Sequence, residues 1–258
     1  MSDQLIRTAL AHHDGHGGIH NDSARGHRIY QSSTMAALLD GIYDGDVTVG
    51  DLLTHGDFGL GTFNRLDGEM VVLEGTCYHL RSDGSATRAT NEDRTPFAVI
   101  TRFDPDSTAE LRGLDRTGLT ATIDAHVPSL NLFYAIRIDG QFRFVKTRTV
   151  AEQHRPYPAL TKAVGEQVAR TLQQVRGTIV GFRMPDYEQG ISVAGYHLHF
   201  IDDNRQHGGH VMDFDLDEGQ VALSVSSELR LSVPRSGPFL TADLSPEDAG
   251  AQIHATEG

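Results

Sequence analysis

The stretch Gly195-Tyr196-His197-Leu198-His199-Phe200-Ile201 and the polar run that follows it contain the residue types from which metal sites are built. Successive side chains of a strand point to opposite faces, so His197 and His199 share one face while Leu198 and Phe200 enter the other layer. The run Asp202–Gly209 then reverses the chain, and His210 opens the returning strand. Three imidazoles thereby converge from one hairpin. Three histidines plus an open position is the arrangement of a catalytic zinc ion. His207 competes for the third place, but it lies within the turn, where strand alternation does not set its direction, so His210 is the preferred ligand. An H-x-H pair alone is more often a pair of hydrogen-bonded histidines; the third imidazole beyond a glycine-containing reversal raises the metal reading. A cupin site also begins with H-x-H, but it wants a glutamate about four residues on, where Asp203 and Asn204 stand.

The rest of the composition narrows the chemistry. The chain has 258 residues, 14 histidines and one cysteine, Cys77, so an intrachain disulfide and a Cys-based zinc cluster are both excluded. Its formal charge of −13 argues against nucleic acid and acidic membrane surfaces as partners. No apolar run approaches the roughly 18 residues that span a bilayer. The opening residues lack the apolar core and cleavage site of a secretory signal, so a cytoplasmic location is expected. Five histidines (His12, His13, His16, His20, His27) decorate this Gly- and Asp-rich opening. They read as a solvated leader, because a structureless segment does not pre-organise ligands.

The elements that must position the histidines are mixed. Short helices are expected over Thr34–Leu39, capped by Ser32 or Ser33, and over Val49–Thr54. Glu69–Arg81 reads as two strands around Glu74-Gly75, and Phe97–Phe103 as another. Asp115 caps a helix to His126, stopped by Pro128. Leu132–Ile138 and Gln141–Val150 flank Asp139-Gly140, the pair favoured in a type I′ hairpin. Leu160, Val164, Val168 and Leu172 at i+4 spacing predict a helix to about Gln173. Strands follow over 176–182, 191–201, 210–215, 221–226 and 229–233, and Ser245-Pro246-Glu247-Asp248 opens a short final helix. Gly56–Gly61 has the order GxxGxG without a leading strand, so it reads as a tight turn and not a dinucleotide fingerprint. The expectation is an α+β fold of two-layer mixed and antiparallel β-sheets with flanking helices. Its divisions are a His-rich leader at 1–28, an N-terminal α/β domain at 29–155 and a strand-rich domain at 156–258 that carries the metal site.

With these residues in view, the sequence resembles the alpha-acetolactate decarboxylase family. The resemblance rests on Tyr30-Gln31-Ser32-Ser33-Thr34-Met35, His55–Phe63, Leu66-Asp67-Gly68-Glu69, Asn131–Gly140, Lys146-Thr147-Arg148-Thr149-Val150 and Gly195–Val211, in order. It covers the chain from about residue 30 onward. It implies decarboxylation of 2-acetolactate to acetoin and carbon dioxide, a Zn2+ cofactor held by His197, His199 and His210, and a homodimer. It further implies that Glu69, Arg148 and Glu257 complete the site. Glu257 depends on the tail Ala255-Thr256-Glu257-Gly258 curling back to the metal. Three neutral histidines leave the ion its full charge, which suits an anionic substrate on an acidic protein. The planar fork of Arg148 suits an oxygen-rich substrate group. The resemblance further implies that Glu69 or Glu257 protonates the carbon that loses carbon dioxide.

By themselves these residues read more plainly. Arg148 is a cationic strand residue beside Lys146, Glu69 is a turn-flanking acid, and His55 and His79 have no partner in sequence and are read as structural. Two other functions compete: an iron-dependent oxygenase or isomerase on a related three-histidine site, and a metal-storage protein with the leader as collector.

Overall fold

A computed structural model describes residues 28–165, 167–235, 237–245 and 249–257, with the side chains of Ala249, His254 and Glu257 outside the description. The leader at 1–27 and the cap residues Pro246, Glu247 and Asp248 therefore lie outside the described residues. In chain order the elements are β1 (Arg28–Ser32), α1 (Met35–Leu39), β2 (Val47–Thr48), α2 (Val49–Leu53), β3 (Phe58–Thr62), β4 (Glu69–Leu73), β5 (Thr76–Leu80), β6 (Ala86–Arg88), β7 (Arg94–Thr95) and β8 (Phe97–Thr101). There follow β9 (Ser107–Asp115), α3 (Arg116–His126), β10 (Phe133–Thr149), α4 (Leu160–Gly165), β11 (Val168–Met184), β12 (Gly195–Asp202), β13 (Gly208–Ser226), β14 (Glu228–Ser232) and α5 (Ala249–Glu257). The fold is α+β, with strand content well above helix content.

Two sheets carry the architecture. One has seven strands in the order β14-β1-β8-β3-β4-β5-β6, antiparallel except where β14 runs parallel to β1. In the other, β10 pairs antiparallel with β11 on one edge and with β13 on the other, while β12 joins β11 to β13. These four strands close into a ring, and β9 extends it along β13. The layer between the two sheets is apolar. Leu60, Val71, Leu73, Leu80, Phe97 and Val99 of the first sheet meet Ala135, Val180, Phe182 and Ile201 of the second. On the other face of the second sheet, Ile136, Ile138, Phe142, Ile179, Leu198, Phe200, Phe214 and Leu216 form a separate core with Leu119 and Ile123 of α3. Leu198 and Phe200 thus occupy the layer opposite His197 and His199, as strand alternation requires.

Local signals hold where they are short-ranged. Asp115 caps α3, its Oδ1 accepting from Gly118 N at 2.7 Å. The β4–β5 loop is Glu74-Gly75, with φ of 54° and 73°, the double left-handed geometry of a type I′ turn. Both short N-terminal helices form; the first is capped by Thr34 instead of Ser32 or Ser33, and the second by Thr48.

Three expectations fail, each to long-range pairing. Asp139-Gly140 is no turn: β10 runs through it for 17 residues. Gly140 pairs with Gly177 of β11 and Gly219 of β13, so three glycines lie in one row across three strands. A Cβ on Gly140 would sit 2.7 Å from both Glu218 O and Leu216 Cδ1, and one on Gly177 would sit 2.5 Å from the Phe200 ring. Glycine serves close approach here, not turn formation. The helix expected to reach Gln173 stops at Gly165, and Val168–Val175 instead pairs with β10. An i+4 pattern rich in β-branched residues yields to a strand when a long partner is at hand. Last, Phe58–Thr62 of the glycine-rich stretch is a strand; Gly59 and Gly61 let β3 lie against Val99 O and Phe97 O of β8.

Candidate metal centre

His197 and His199 lie on β12 and His210 on β13, where His199 and His210 are direct cross-strand partners. All three rings are buried. Each offers a nitrogen to a cluster in which the ligand atoms lie within 4.8 Å of one another. Ring centroids are 5.0 to 5.4 Å apart, and the Nε2 atoms of His197 and His199 are separated by 3.2 Å. The site therefore sits on the face of the ring that meets the seven-stranded sheet. His207 does not join it. Its Nδ1 lies 3.1 Å from Asp202 Oδ2 and its ring is half-exposed, whereas His210 is buried with His197 and His199.

Burial, above all, lowers the affinity of these imidazoles for a proton. His199 is pushed down to about 4 by burial, with the Arg148 charge adding to the effect against a bond to Met70 O. His197 and His210 fall well below the ordinary histidine value for the same leading reason, helped by neighbouring histidines and Arg148. All three are thus neutral at pH 7, the form that binds a metal. The Nδ1 of His199 is 2.8 Å from Met70 O, a contact that makes Nδ1–H the donor and leaves the Nε2 lone pair facing the cluster. Three neutral imidazole nitrogens converging in a buried cluster fit a divalent cation.

Two acids and an arginine were implied beside these ligands. Glu69 opens β4 in the other sheet, and its Oε2 lies 3.7 Å from His199 Nε2. Arg148, near the end of β10, is the cross-strand partner of His210 and is buried. Its Nη1 donates to Gln167 Oε1 at 2.9 Å and its Nη2 to the carbonyl of Thr256 in α5. The sheet pairing thus places Arg148, His210 and His199 in one row, and layer docking adds Glu69 from the facing sheet. Glu257 is the residue after Thr256 at the end of α5; its side chain lies outside the described residues. Sequence reasoning missed Gln167, Thr256 O and Met70 O, which orient these groups. Two of the three are main-chain atoms, for which no side-chain signal exists.

The chain has relatives. The sequence model of the alpha-acetolactate decarboxylase family matches residues 29–246. The alpha-acetolactate decarboxylase of Raoultella terrigena is 47% identical over 94% of this chain and 93% of its own length. That of Methylococcus capsulatus is 44% identical over 99% of this chain and 98% of its own. The crystal structure of alpha-acetolactate decarboxylase from Bacillus subtilis strain 168 superposes with a TM-score of 0.88 at 48% identity, covering 90% of this chain and 99% of that one. The histidine cluster thus lies in a chain similar over nine-tenths or more of its length to alpha-acetolactate decarboxylases, and the protein is a carboxy-lyase that belongs to the alpha-acetolactate decarboxylase family.

Proposed function

We propose that the chain carries out zinc-dependent decarboxylation of 2-acetolactate to acetoin and carbon dioxide, in acetoin and butanediol formation, as a cytoplasmic homodimer. The observation that carries the metal reading is the convergence of three buried, neutral histidines beside Glu69 and Arg148. His197, His199 and His210 hold the ion. When bound, zinc supplies a Lewis-acid sink for the electron pair released as carbon dioxide departs.

The residues of this chain do the rest. Arg148, pinned by Gln167 and Thr256, presents a fixed guanidinium to an oxygen-rich group of the substrate. The carbon–carbon bond to the carboxylate breaks and its electron pair moves toward the neighbouring ketone oxygen. The carbon left behind takes up one proton, so each turnover consumes one. Either Glu69 or Glu257 makes this transfer and regains the proton from solvent. The apolar layer around the cluster excludes water and strengthens each of these electrostatic contacts.

Metal-stripped protein is expected to be inactive, and restoring one zinc per chain is expected to restore acetoin release. A zinc-loaded enzyme that releases no acetoin from acetolactate overturns the reading. Oxygen uptake with iron, in place of acetoin release, would favour the oxygenase reading. Sedimentation equilibrium tests the homodimer, and a monomer mass would exclude it.

A further inference from the structure

His79 lies on β5, opposite Met70 of β4, with its ring buried. The chemistry above makes no use of it. The ring stacks on Phe63, with centroids 4.0 Å apart and planes 24° from parallel. Its Nε2 meets the carbonyl of Asp67 and lies 3.5 Å from Asp67 Oδ2, an oxygen that also accepts from Arg81 Nη1 at 3.0 Å. Burial and then the Arg81 charge hold this histidine below its ordinary value, against the pull of Asp67 and Asp93. A neutral ring against a carbonyl must carry its proton on Nε2.

The segment so held is strained. Arg65 and Leu66 have φ of 67° and 53°, left-handed values that side-chain-bearing residues adopt at a cost. Gly68 has φ of 78°, and a Cβ there would lie 2.1 Å from Leu80 O. The Gly68 carbonyl accepts from Thr62 Oγ1 at 2.7 Å. Glu69 is the next residue, so two successive peptide units before it are fixed by side chains. A strained turn persists only when its surroundings over-determine it.

We propose that His79, with Asp67 and Arg81, forms a clamp that positions the Glu69 carboxylate toward the metal centre. The inference rests on the role of Glu69 given above. His79 is a positioning residue: it touches Asp67, two residues before the acid, and acts through the backbone between them.

The test uses the zinc-loaded enzyme. His79→Phe keeps the stack on Phe63 and removes the N–H. It is expected to retain one zinc per chain and to hold KM within about twofold, while kcat falls about tenfold or more and its pH profile shifts. His79→Gln supplies an amide N–H and is expected to recover most of the loss. A His79→Phe enzyme with wild-type kcat and pH profile would make the residue core filling only and overturn the clamp. If His79→Phe does not fold, Arg81→Met carries the test, because its half-exposed side chain can be removed without touching the core. There a kcat fall of about threefold at constant KM is expected, and no change overturns the proposal. Glu69→Gln is measured in parallel. An inert Glu69→Gln with a normal His79→Phe sinks the clamp alone, whereas an active Glu69→Gln sinks the role of Glu69 and the clamp with it.

Discussion

His199 and Met70 belong to different sheets, yet the imidazole Nδ1–H of one donates to the main-chain carbonyl of the other at 2.8 Å. The bond fixes which nitrogen of His199 faces the cluster and ties the ring to the strand that begins with Glu69. The His199→Ala variant is accordingly expected to lose metal and activity together. Elemental analysis alongside the acetoin assay checks this; retained stoichiometric zinc would remove His199 from the ligand set.

Arg148 makes no part of the ligand set, so its loss should separate binding of the ion from turnover. Arg148→Ala is expected to keep zinc while kcat/KM falls about a hundredfold or more. Arg148→Lys should recover little, since a point charge cannot reproduce the fork held by Gln167 and Thr256. An unchanged kcat/KM in Arg148→Ala excludes it from the chemistry.

The glycine row in the ring gives a stability prediction. Gly140→Ala places a methyl group 2.7 Å from Glu218 O and from Leu216 Cδ1. Overpacking of this kind costs about 1–3 kcal/mol, which in a chain this long lowers Tm by about 2–4 °C per kcal/mol. Calorimetry reads the shift, and a Tm equal to wild type would mean that β10 and β13 lie further apart than described.

Burial, reinforced by the Asp93 charge, pushes the Cys77 thiol up to about 12 from an ordinary value of 9.0. An acid whose folded-state value is raised favours the native state fully below the unfolded value and loses that contribution as pH climbs through the folded one. Between about pH 9 and 12 the wild type should therefore lose more stability than Cys77→Ala, and at pH 8 native protein should resist iodoacetamide until denatured. Urea titrations at pH 8 and 10.5 measure the first, mass spectrometry the second.

Removing residues 1–27 distinguishes a lyase from a metal store. The histidine cluster lies wholly within 195–211, so bound zinc and kcat should be unchanged in the truncated chain. A large loss of bound metal would instead assign the leader a collecting role.

The sequence is a good guide to this molecule wherever the cause is local. Asp115 three residues before Gly118, Glu74-Gly75 between two apolar runs and His197-Leu198-His199 on one strand each carry their own geometry. It misleads where a distant partner decides. Asp139-Gly140 has the chemistry of a turn, but Gly177 and Gly219 on either side draw it into an unbroken strand. Leu160–Leu172 has a helical period, but β10 pairs with its second half. The site divides in the same way. The histidines are legible from spacing because one hairpin holds them. Glu69 reaches them only by docking of two sheets, and Arg148 only by pairing of strands more than sixty residues apart, so no period in the text marks either. Family resemblance supplied both.

The division between hairpin and facing sheet also divides the chain. The three histidines sit within a single 17-residue stretch, while Glu69, the Asp67 turn and His79 come from a separate sheet encoded well upstream. On the roles proposed above, capture of an ion and delivery of a proton draw on separate stretches of the chain, joined where His199 meets Met70 O. A chain that rebuilt the β4–β5 hairpin but kept the Met70 carbonyl against His199 would retain the histidine cluster and set it before a different acid.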